Sequence, residues 1–175
     1  MSETTAEPLP RLGCYRVEEK PGTNPAGPVV SGAALAAYWC ELVEYCVGKR
    51  ERRAAAANAI DAARASGDAA EAASIMRWRY GQKIEIKGAE AVAELLHGII
   101  APGAPFLCDV RCPHVARGAS ADQVKRFLDS LDAAAGALRA RWRECRYDHP
   151  CYEDLQDEFG VYEGWRRRLA GVAKE

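Results

Sequence analysis

No stretch of this 175-residue chain approaches the run of about 18 apolar residues that a membrane-spanning helix needs, so no membrane span is expected. The opening MSETTAEPLPRLG lacks the apolar centre of a secretion signal, which makes a cytoplasmic protein the expectation. Charge of one sign is missing too. Lys and Arg total 24 against 25 Asp and Glu, a net of −1, so the chain as a whole is neither a polyanion sponge nor an acidic mimic. A Gly-rich phosphate loop, a GxSxG elbow and an HExxH helix are all absent. No internal repeat of solenoid length is visible either.

Alanine is abundant and arginine outnumbers lysine, a composition that fits a GC-rich bacterial or phage genome. Seven cysteines are many for such a chain. An odd number without a secretion signal argues against a disulfide framework, and free cysteine also serves as a small buried hydrophobe.

The best-specified stretch is Ser120–Arg146. Val124, Leu128, Leu131, Ala135, Leu138, Trp142 and Cys145 follow one another at spacings of four and three, an unbroken heptad seam. Phe127 and Ala134 widen it into the buried face of a bundle helix. Ser120 and Gln123 form a capping box at its start. At about 1.5 Å per residue this helix runs roughly 40 Å.

Residues 1–30 are rich in proline and glycine and read as an extended arm, with 31–175 as one helical domain. A helix from Ser31 carries Leu35, Trp39, Leu42 and Cys46 on one face. At Gly48 and the following charged run it either becomes exposed or breaks. Ser66-Gly67-Asp68 stops one helix and starts the next. Lys83–Lys87 alternates charged and branched residues as a half-exposed strand does, and Phe106–Val110 offers it a partner. A final helix after Pro150 carries Leu155, Phe159, Tyr162 and Leu169, with acids early and arginines late. The predicted fold is mostly α: an antiparallel bundle or set of hairpins, at most one two-stranded β ribbon, and the N-terminal arm.

Two cysteine–histidine clusters bracket the seam helix: Cys108, Cys112 and His114 before it, Cys145, His149 and Cys151 after it. Thiolates and imidazoles are zinc ligands. One ion cannot bind both clusters across a straight helix of that length, and each cluster supplies three ligands and not four. The favoured expectation is therefore no cofactor, with Cys145 ending a core stripe, Cys108 facing inward, and the histidines as loop residues. Zinc is the alternative. A thiolate–imidazole nucleophile, Cys112 with His114 or Cys145 with His149, is a third reading. His97 reads as a histidine on a helix flank.

Arginine recurs beside tryptophan at Arg77-Trp78-Arg79-Tyr80, around Trp142, and at Trp165-Arg166-Arg167-Arg168. Such clusters can bind nucleic acid, but arginines at the rim of a core that bind carboxylates give the same pattern. The preferred function is a non-enzymatic interaction protein with a protein partner or a second copy of itself. Its candidate surfaces are the arm through Val30, with Tyr15, and the first-helix aromatics Tyr38, Trp39 and Tyr45.

Overall fold

The computed structural model describes residues 29–106, 110–149 and 151–173. Four helices account for most of them: α1 Gly32–Ala65, α2 Ala69–Ile100, α3 Ala121–Glu144 and α4 Cys151–Val172. A short 3-10 turn, Val115–Arg117, precedes α3. No helix among these residues is long and apolar enough to cross a membrane.

Each helix start has a local cause. Ser31 caps α1 by accepting from the Ala34 amide, and Asp68 caps α2 by accepting from the Glu71 amide. Ser120 and Gln123 form the full capping box of α3, each side chain taking the other's backbone N–H. Between α1 and α2 the chain reverses at Gly67, whose φ of +80° suits glycine.

The seam of α3 is buried at Val124, Leu131, Ala135 and Leu138, and half-buried at Leu128, Trp142 and Cys145. Around it lies a contiguous core from all four helices. Its largest fully buried side chains include Trp39, Phe127, Leu35, Leu42, Leu96 and Leu169. Side-chain pairs show how the helices run. Trp39 meets His97 and Tyr45 meets Glu85, while nearer the turn Arg79 Nε donates to the Arg53 carbonyl at 3.2 Å. The numbers rise on one helix as they fall on the other. The same inverse order joins α3 to α4 through Asp132 with Arg166, Arg139 with Phe159, and Trp142 with Tyr152.

The structure corrects the sequence reading in several places. Lys83–Lys87 is not a strand but the middle of α2, where Gln82, Ile86, Ala89, Ala93 and Leu96 recur at helical spacing and are buried. The short charged–apolar alternation is what remains when two exposed lysines stand four apart on a helix. Gly88 lies buried within the same helix. A Cβ there would meet the Val161 side chain at 3.2 Å, so glycine lets α4 approach α2. No strand forms among the described residues, which hold only an isolated antiparallel bridge between Val30 and Ala119. Of the expected ribbon partner, Phe106 and Val110 lie in irregular chain, and 107–109 lie outside the described residues. Gly48 does not break α1.

The helices α1 and α2 are longer than the pair they pack on. Tyr80 reaches Asp154 in the first turn of α4, and the two helices continue past that level to Gly67. Ala56, Ile60, Ala63 and Ala72 are buried in this distal part of α1 and α2 but stand outside the contiguous core. A contact made largely of alanines buries little area per residue.

Candidate functional site

Cys145 is the C-cap of α3, in extended conformation, and Cys151 is the first residue of α4. The corner between them brings back His149. One ligand atom from each of Cys145, His149 and Cys151 lies within 4.8 Å of the others. His149 Nδ1 is 2.8 Å from Cys151 Sγ and accepts from the Cys151 backbone N–H at 3.2 Å. Backbone bonds from His149 N to Arg146 O and from Tyr152 N to His149 O, both 2.9 Å, set the turn. Tyr152 stacks its edge on Tyr147 at 5.1 Å and lies 5.5 Å from the Trp142 ring. These residues are half-exposed or exposed, so a ligand can reach them from solvent.

The arrangement suits cation binding better than nucleophilic catalysis. A reactive cysteine needs a depressed pKa. The Cys145 thiol is instead pushed up to about 11, by its hydrogen bond with Cys151, by burial and by negative charge on Cys151 and Asp148. Nor does His149 serve Cys145 as the sequence suggested, because its Nδ1 faces Cys151.

The other cluster divides differently. Cys108 lies outside the described residues. Cys112 is buried and His114 half-buried, and both line a cavity of about 170 Å³ with His97, Arg111 and Pro113. His97 is the residue that the sequence reading undervalued. It is 3% exposed, packed between Trp39 and Phe106, with the His114 ring 5.8 Å away. Burial, and then the neighbouring His114, hold its pKa below the ordinary value. A signal existed: His97 follows Leu96 within the apolar stripe of α2.

Of the aromatics assigned to a partner, Tyr38 and Trp39 are 3% and 0% exposed and belong to the chain's own core. Their consecutive positions point differently because α1 is covered on more than one side. Tyr45 is half-buried, packs edge-on against Trp165 at 5.7 Å and donates to Glu85 at 2.6 Å. Burial alone would raise the Glu85 pKa, but bonds from Lys49 and Tyr45 and the positive charge of Lys49 and Arg52 hold it below the usual carboxylate range. Val30 is 1% exposed and bridged to Ala119, so the arm's last residue is docked on its own chain. Tyr15 lies outside the described residues.

The C-terminal arginines are engaged with the chain's own acids. Arg166 pairs with Asp132, Arg167 with Glu163 at 3.6 Å, and Arg168 with Glu41 at 2.8 Å while stacking on Trp165. Arg79 binds the Arg53 carbonyl, whereas Arg77 is exposed beside Trp78. No protein-family model matches the sequence, and no curated protein or solved structure matches it significantly.

Proposed function

We propose that this chain is a non-enzymatic helical interaction protein. In this reading the four helices form one antiparallel bundle, and the distal half of the α1–α2 hairpin is the part offered to a partner. One observation carries it. Of the chain's tryptophans, Trp39 and Trp165 are buried and Trp142 is half-buried, yet Trp78 stays 45% exposed on that hairpin, with Met76 and Tyr80 also exposed nearby. Tryptophan, tyrosine, methionine and arginine are enriched at protein interfaces, and an alanine-rich hairpin displays them without a bulky core of its own. Met76 and Tyr80 share one flank of α2 while Trp78 occupies another, so a partner would straddle the hairpin.

The first partner to test is a second copy. The hairpin carries Arg64 and Arg77 alongside Asp61, Asp68 and Glu71, and a net charge of −1 leaves little repulsion between copies. Sedimentation velocity over a concentration series should show association that Trp78→Ala weakens without loss of helicity. A photo-crosslinker at position 78 should give a discrete adduct that the same probe at Ala133, an exposed residue of α3, does not. A monomer at every concentration without any adduct would remove the reading. Binding of oligonucleotides that falls steeply with salt and requires Arg77 would replace it with nucleic-acid recognition.

A further inference from the structure

We propose that Cys145, His149 and Cys151 form a binding site for a zinc-class divalent cation that clips the end of α3 to the first turn of α4. The inference is independent of the partner reading. It rests on three ligand atoms that already converge within 4.8 Å of one another. Zinc–sulfur and zinc–nitrogen bonds of about 2.3 and 2.0 Å in a tetrahedron put ligand atoms roughly 3.5 Å apart, so the site needs adjustments of about an ångström.

The tautomer of His149 is the second support. Its Nδ1 accepts from the Cys151 backbone N–H, so this nitrogen carries the lone pair and the ring proton sits on Nε2. That lone pair lies 2.8 Å from Cys151 Sγ. The imidazole nitrogen and the thiol sulfur are thus already side by side, as two ligands of one cation must be. Secondary structure supplies the third support. Cys151 opens a helix of 22 residues, and Cys145 is fixed by two bonds from its backbone N–H to the last turn of α3. The donors therefore come from two helix ends and the tight turn between them.

Two thiolates and one imidazole neutralise a dication and select a borderline-soft ion over magnesium or calcium. Binding exchanges the two thiol protons for the metal, and the solvent-facing fourth position is left to water. Because the chain passes from α3 to α4 through this corner, the cation would reinforce the inverse pairing of the two helices.

The test uses the full chain, reduced and freed of metal, titrated with cobalt(II) as the spectroscopic probe. One cobalt per chain is expected, with a thiolate-to-cobalt charge-transfer band and the visible bands of tetrahedral cobalt, all displaced by zinc. Cys151→Ser and His149→Ala should each weaken binding at least about tenfold. Cys112→Ser should leave it unchanged. Cys151→His keeps three ligands and should retain binding with a weaker charge-transfer band, which guards against a variant that merely misfolds. Absence of the bands at saturating cobalt would overturn the proposal. So would a signal that survives Cys151→Ser but vanishes in Cys112→Ser, since the ion would then occupy the other cluster. A chain that only oxidises, linking Cys145 to Cys151 and taking up no metal when reduced, overturns it as well.

Discussion

The hydroxyl of Tyr38 donates to the main-chain carbonyl of Trp165 at 3.1 Å, and the two rings meet edge to face at 5.6 Å. A residue near the start of α1 is thereby fixed to one near the end of α4. Tyr38→Phe keeps the ring and removes only the buried hydrogen bond, so it should cost about 0.5–1.5 kcal/mol. Trp165→Ala removes ring and packing together and should cost about 3–5 kcal/mol. Urea denaturation of both variants, followed by far-UV circular dichroism, checks the ratio. Equal losses would show that the ring contact contributes little.

Leu131 is fully buried in the middle of the α3 seam. Leu131→Ala should destabilise by about 2–5 kcal/mol, with the spread set by how far the cavity collapses. A loss under about 1 kcal/mol would mean the seam does not face the core.

Two glycines should respond with opposite signs. Gly136 lies exposed inside α3 with nothing within 4 Å of a would-be Cβ, so Gly136→Ala should stabilise by about 0.4–1 kcal/mol. At Gly32 the same Cβ would fall on the Ala116 carbonyl, where backbone must move. Gly32→Ala should therefore destabilise by more than about 1 kcal/mol. Melting temperatures of the two variants decide it.

His97 gives the stability a pH dependence. Burial lowers its folded pKa below the unfolded value of 6.5, so between the two the unfolded chain binds a proton that the folded chain refuses. Stability is then unaffected above the unfolded value, falls as pH drops through the window, and levels off below the folded value. His114, which lines the same cavity, adds to the cost of charging it. Urea midpoints at about pH 7.5 and 5.5 should differ less in His97→Gln than in the parent chain. An unchanged difference would place the proton elsewhere.

The seam of α3 and its capping box were legible because a long amphipathic helix repeats its signal many times. Val124, Leu131, Ala135 and Leu138 are where the spacing put them. Lys83–Lys87 misled because five residues are too few to separate a period of two from one of 3.6. Nothing local in the sequence says that Val161 packs on Gly88. The corner cluster was visible as a spacing, but its convergence was not. Whether Cys145, His149 and Cys151 meet depends on the extended C-cap at Cys145 and on where α4 begins, which are properties of the turn. Tyr38 and Trp39 were misassigned for a related reason: adjacent aromatics imply a partner only if the helix has one covered side, and α1 is covered by α2 and α4 together.

The bridge between Val30 and Ala119 gives the molecule a polarity. It sets the beginnings of α1 and α3 side by side, and Gln123 reaches the Ile99 carbonyl at the end of α2, while Arg168 reaches back to Glu41. One pole therefore collects both flanks of the described chain, residues 29 and 173. The opposite pole holds the Gly67 turn and the cysteine corner. A protein tethered to a surface through either flank would stand with its anchor at one pole and turn the other, with hairpin and thiols, toward the solution.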